Sequence, residues 1–323
     1  MRRMRLVLLA VTGLLATATG AWALQAPGRT QVRSAPITAI ALTHASIAFA
    51  VGTTRTDCEH VELWNPDTFG TYRFGRRHPC GDLPLLHGIG PIGVGSRRVV
   101  WVSFAGGNLT DWQLWTATTT RKTPRRLAFV ERDTMDAPAM VVGDGSFDAI
   151  PYAVETEITL LGDSGRVIFR THAPSEVRRI TSGAGPDGWR VAAVLDSGEV
   201  TVLDGGGSVV KTYAYPTGAV RWIGLAPAGV VVQLPGATVE ILRGAATRNV
   251  QLRANAIVLD YAEGRILYRV GQTFWLRHVA TGVDTLLLQG SRRDPIAPVL
   301  DTHGLAWARG ATVNWVCAVC LSP

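Results

Sequence analysis

The sequence predicts an all-β fold: a seven-bladed β-propeller of four-stranded antiparallel blades, closed by an N-terminal strand that completes the last blade. Three observations predict it. A strand–turn–strand motif recurs at 60–64, 112–115, 157–161, 199–203, 238–242, 273–276 and 312–316. Neighbouring copies lie about 35 to 50 residues apart, the period of one sheet repeated around an axis. No stretch beyond the leader shows helical periodicity. The seventh copy lacks a strand, while an extended segment at 30–34 precedes the first blade without a partner. An open ring leaves two sheet edges with unpaired backbone groups, so 30–34 is expected beside 312–316.

The elements follow in order. Residues 1–23 read as a signal peptide: Arg2, Arg3 and Arg5 precede an uncharged apolar run at 6–18, and Ala21 and Ala23 suit cleavage after Ala23. An uncleaved anchor to the membrane is the alternative, although the run is short for a span. Residues 24–36 form an N-terminal segment with the closing strand, and 37–323 the propeller. Blade one is expected from runs at 37–42, 47–51, 60–64 and 71–74, and blade two from 89–94, 99–104, 112–115 and 126–130. Blade three follows at 139–142, 149–154, 157–161 and 167–171, and blade four at 177–181, 190–195, 199–203 and 209–215. Blade five is 220–225, 230–234, 238–242 and 249–252; blade six is 257–261, 266–270, 273–276 and 285–288. Blade seven supplies only 298–301, 305–309 and 312–316. β-branched and aromatic residues fill these runs, and Gly/Asp/Ser/Thr turns separate them.

Pro186-Asp187-Gly188 ahead of Arg190-Val191-Ala192 resembles the Ser-Pro-Asp-Gly turn of TolB-like propellers. Val61-Glu62-Leu63-Trp64-Asn65, with Gly70 beyond, resembles a WD-type strand and its exit turn. On these residues the chain is similar to the WD40-like/TolB-like propeller superfamily in architecture, although no blade carries the Gly-His…Trp-Asp pair. The resemblance implies a binding or envelope-associated role and transfers no site residues.

The formal charge of +7 includes three arginines in the leader, so the mature chain is only mildly basic. Mild charge and export together argue against nucleic acid as a partner. Four cysteines in an exported chain point to disulfides. Cys58 and Cys80 fall in loops of blade one that share a face, so they are expected to pair. The alternative is a zinc set of Cys58, His60, His78 and Cys80. Cys317 and Cys320 read as a local structural disulfide near the C-terminus, with a cross-pairing that staples the terminus or a reactive pair as the alternatives.

The motifs of serine hydrolases, zinc proteases, phosphate-binding loops and EF-hands are absent. Trp64, Trp112, Trp115, Trp275 and Trp315 lie in third strands, where aromatic rings fill the space between blades. Asp260 and Asp301 both follow Val-Leu, in blades six and seven; the position caps a hairpin turn, with a paired catalytic role as the alternative.

One constellation remains. Arg76, Arg77, Arg132, Arg253, Arg292 and Arg293 sit in or beside blade-to-blade connections, and Arg178 and Arg179 at the start of a strand. All open on the face of Cys58 and Cys80, and would make it basic. The expectation is an exported, non-enzymatic binding protein, secreted or envelope-associated. Its ligand would be a protein or an anionic envelope or glycan polymer, with no cofactor and no membrane span in the mature chain. A polysaccharide lyase or hydrolase is the alternative, and would require His, Asp and Arg clustered at the channel mouth.

Overall fold

The computed structural model describes residues 28–321 except 45, 83–85, 137, 147, 186–187 and 227–228; of residues 319 and 320 it describes the backbone alone. The expected signal peptide and Pro186-Asp187 of the family-like turn lie outside the described residues.

Strand β1 (Arg29–Val32) comes first. Blade one is β2 (Ile37–Thr43), β3 (Ser46–Val51), β4 (His60–Asn65) and β5 (Gly70–Arg73). Blade two is β6 (Leu86–Val94), β7 (Arg98–Gly106), β8 (Leu109–Thr118) and β9 (Arg125–Asp133). Blade three is β10 (Met140–Val142), β11 (Ala149–Val154), β12 (Glu157–Gly162) and β13 (Val167–His172). Blade four is β14 (Val177–Gly185), β15 (Gly188–Leu195), β16 (Glu199–Leu203) and β17 (Val209–Ala214). Blade five is β18 (Trp222–Ala226), β19 (Gly229–Leu234), β20 (Thr238–Arg243) and β21 (Ala246–Gln251). Blade six is β22 (Ile257–Ala262), β23 (Arg265–Val270), β24 (Thr273–His278) and β25 (Asp284–Gln289). The last blade takes β26 (Ile296–Leu300), β27 (Gly304–Arg309) and β28 (Thr312–Cys317) from the end of the chain.

Each of the first six sheets runs in chain order with antiparallel neighbours, and the seventh has the order β1-β28-β27-β26. The N-terminal strand therefore completes the last blade, as the missing strand requires. Arg29 faces Trp315 and Val32 faces Thr312 in the register. Thr30 Oγ1 donates to Asn314 Oδ1 at 3.1 Å, and the amides of Arg33 and Ile37 continue the seam to Ala311 O and Gly310 O, each at 2.8 Å.

Seven separate hydrophobic clusters fill the seven junctions between blades. One of them joins Leu42, Ile47, Phe49 and Trp64 of blade one to Ala306, Val313 and Trp315 of blade seven, so the ring is closed by packing as well as by pairing. The middle strands are buried on both faces, β3 along its whole length, because a neighbouring blade covers each side. The third-strand tryptophans all pack into these junctions, Trp64 with none of its surface exposed.

The meander topology sorts the loops. Hairpins within the first and second halves of each blade emerge on one face, the hairpin face. The loops between second and third strands and the blade-to-blade connections emerge on the other, the junction face.

Candidate functional site

On the junction face Cys58 and Cys80 form a disulfide, 22 residues apart, tying the middle loop of blade one to the connection into blade two. These two sulfurs therefore offer no thiolate to the alternative zinc set. His60 is engaged elsewhere, through Nδ1 with Cys58 O (2.9 Å) and through Nε2 with Glu62 Oε1 (3.2 Å), and His78 Nδ1 meets Pro79 O at 3.1 Å. Burial pushes the Glu62 carboxyl up, but hydrogen bonds from His60 and Arg33 outweigh it and hold it below the ordinary value. Cys317 is disulfide-bonded too; the side chain of Cys320 lies outside the described residues.

Next to the Cys58–Cys80 bridge, Asp57 is almost fully buried. It accepts two bonds from Arg73 and lies 3.5 Å from Arg77. Beyond this knot a groove of about 460 Å³ runs between blades one and two. Trp101, Phe104 and Trp115 form an apolar wall, and Arg73, Arg76 and His87 supply polar groups. The Trp115 indole donates to Ser103 Oγ at 2.9 Å, which fixes its plane against the groove.

The arginines expected to make this face basic divide into two groups. Arg132 is held by Glu155 and Glu176, and Arg178 by Glu176 and Asp196. Arg253 pairs with Asp284 and lies flat on Trp275, 3.8 Å from the ring centre. Hydrogen bonds donated to Glu176 and then to Glu155 raise the Arg132 guanidinium far above its usual value, an effect larger than its desolvation. These pairs close much of the charge upon itself. Arg76, Arg292 and Arg293 are exposed, and no salt bridge joins them among the described residues. Arg179, in the innermost strand of blade four, keeps solvent contact while burial lowers its pKa.

The central channel carries a second constellation. On the hairpin face its mouth is a cavity of about 540 Å³, and the opposite end opens into one of about 650 Å³. Asp144 lines both, which places it at the waist. Its position depends on two glycines. A Cβ on Gly143 would stand 2.1 Å from Ile180 O, and one on Gly145 would stand 2.2 Å from Val94 O. Only glycine lets the inner strands of blades two, three and four approach this closely around Asp144. Ser182 Oγ and Thr43 Oγ1 then donate to Asp144 O (3.2 Å) and Gly145 O (2.7 Å).

Asp260 also lines the channel mouth, and accepts backbone bonds from Tyr261 and Leu300, each at 2.8 Å. Asp144 is exposed to the channel lumen and Asp260 is half-buried, and the enclosing channel wall reduces the bulk water around both. Burial raises the Asp144 pKa. Burial first, and then the charge of Asp144, raises Asp260 well above the usual range, against the pull of its two backbone bonds. At the mouth, Asp301 gathers the amides of His44, His303 and Gly304. The rings of His44 and His303 lie 4.2 Å apart. Burial, and then the nearby charge of His303, lowers the His44 pKa.

No family model matches the sequence, and no curated protein matches it. Among solved structures, the crystal structure of the mitotic checkpoint complex contains a chain similar over 98% of both lengths, with a TM-score of 0.57 and 11% identity. The computationally designed Ika8 protein is similar over 89% of this chain and 98% of its own, with a TM-score of 0.48 and 10% identity. The seven sheets and the first of these likenesses decide the architecture. The fold is that of a WD40-like propeller.

In this WD40-like propeller Asp301 caps its hairpin, as its position after Val-Leu suggests, whereas Asp260 reaches across to the backbone of blade seven. Asp144 was not singled out in the sequence. Its signal is a related pattern: like Asp301 it follows the inner strand of its blade, whereas Asp260 lies within β22, and Val-Gly replaces Val-Leu ahead of it. His44 and His303 meet only because the first and last blades of the propeller are neighbours.

Proposed function

We propose that the chain is an exported, non-enzymatic binding protein that recognises acidic groups of a protein or an anionic envelope or glycan polymer on its junction face. The observation that carries this reading is the groove between blades one and two. Its aromatic wall provides area, Arg76 provides positive charge, and the disulfide and the Arg73–Asp57 knot keep its rim in place. A preorganised rim loses less entropy on binding. The Cys58–Cys80 bridge also supports export, since disulfides persist in oxidising compartments. Among the described residues no helix is long and apolar enough to cross a membrane.

The test is a calorimetric titration of the mature chain with acidic glycans, teichoic-type polymers and acidic peptides, at low and at moderate salt. Binding should weaken about tenfold or more on raising the salt from about 50 to 300 mM. It should also weaken in the variants Arg76→Ala/Arg77→Ala and Arg292→Ala/Arg293→Ala. Binding indifferent to salt and to all four arginines would remove the reading.

A second reading, a polysaccharide lyase or hydrolase, is favoured by the His44, Asp301 and His303 cluster beside Asp148 and Asp260 at the channel mouth. No arginine lines that mouth among the described residues. Release of new reducing or unsaturated ends from acidic or neutral polysaccharides would support it, and their absence across such a panel would sink it.

A further inference from the structure

We propose that His44, Asp301 and His303 form a binding site for a divalent ion of the zinc type at the hairpin-face mouth of the channel. It stands on different residues from the junction-face groove and does not depend on what that groove binds. His44 lies in the hairpin between β2 and β3, and Asp301 and His303 in the hairpin between β26 and β27. One donor atom from each of the three comes within 4.8 Å of the others. Three points bound to one ion about 2.0 to 2.2 Å away lie up to about 4 Å apart, a little closer than these donors stand.

The arrangement around the donors is built rather than incidental. Asp301 is fixed by three backbone amides: His303 and Gly304 donate to Oδ1 at 2.7 and 2.8 Å, and His44 donates to Oδ2. Thr302 Oγ1 bonds His303 Nδ1 at 2.9 Å and so orients the second ring. Ordered partners of this kind hold ligands in place before an ion arrives. His44 occupies a left-handed backbone conformation, with φ of 45°. Asp148 lines the same mouth and adds a second negative charge beside the cluster.

The donor set chooses the ion. Two imidazoles and one carboxylate suit zinc and its borderline neighbours, whereas magnesium and calcium select all-oxygen shells. Three protein ligands leave the fourth tetrahedral position to water or to a ligand entering from the channel. The ion also has a structural consequence. It links the first blade to the last on the face opposite the β1–β28 seam, and so clasps the ring at its junction a second time.

The test uses the untagged full chain. Zinc is added in excess, the protein is desalted, and retained metal is measured by mass spectrometry beside the thermal midpoint. The expected result is one zinc per chain and a midpoint raised by about 4 °C at a hundredfold excess over Kd, with no shift from magnesium or calcium. His303→Ala and His44→Asn should each abolish the retained zinc; asparagine tolerates the left-handed backbone, so the latter variant keeps the fold. His172→Ala, on an outer strand, should retain it. Zinc absent from the wild-type chain, or retained equally by the His44 and His303 variants with native circular dichroism, overturns the proposal.

Discussion

Arg73 holds Asp57 with two parallel bonds, Nη1 to Oδ2 at 2.8 Å and Nη2 to Oδ1 at 2.7 Å. The fork joins the last strand of blade one to the loop that carries Cys58, under the rim of the junction-face groove. Asp57 is only 6% exposed, so a lone partner would be left as a poorly hydrated charge.

Asp57→Asn is therefore expected to cost about 3 kcal/mol in urea denaturation, and Arg73→Met a comparable amount. The double variant should lose clearly less than the two single losses together, because the pair acts as a unit. Strict additivity would mean that each residue works through other contacts.

The Cys58–Cys80 bridge closes a loop of 22 residues. Replacing both cysteines by serine should cost about 3 kcal/mol, through the restored freedom of the unfolded chain. Reductant should lower the midpoint of the wild-type protein by clearly more than that of the double-serine variant, which keeps only the disulfide of Cys317. Equal sensitivity of both proteins to reductant would place the stabilisation elsewhere.

Deleting residues 24–34 should uncover the edge of β28. About 1 kcal/mol per lost backbone bond, over the four paired residues of β1, corresponds to a midpoint lowered by about 5 °C or more. The freed edge should also yield oligomers in light scattering. A truncated chain that stays monomeric with an unchanged midpoint would show that packing between blades one and seven suffices.

Asp144→Asn tests the channel carboxyls. Burial raises the Asp144 pKa in the folded chain, so the native state binds its proton more tightly than the unfolded state does. The sign follows: stability from this group is complete below the unfolded value of about 4 and is lost as pH rises through the folded value. The variant should melt about 2 °C higher at pH 7 and show a flatter pH dependence above pH 4. A lower midpoint at pH 7 with the slope unchanged would contradict the assignment.

Most of the architecture was legible because period, turn chemistry and alternation all act locally. The run at 157–161 became Glu157–Gly162, and the unpaired segment at 30–34 became Arg29–Val32 against β28. Where local signals point to a turn, pairing prevailed. Ser182, Gly183 and Gly185 read as loop, yet β14 continues to Gly185 because β15 supplies a partner for every residue of that stretch. The site was harder to read. Arg132 finds Glu176 across 44 residues, and His44 finds Asp301 across 257. Composition revealed the arginines, but only the ring brought the acids that neutralise several of them.

Thr30 and Asn314 are bonded although 284 residues separate them. A chain delivered N-terminus first therefore presents β1 before any blade, then holds it single until β28 arrives. Sealing the ring becomes a test of completeness. A product released early remains an open arc with a free edge, exposed to proteases and to other chains. Only a chain that reaches β28 can pair its β1 edge and withdraw from both.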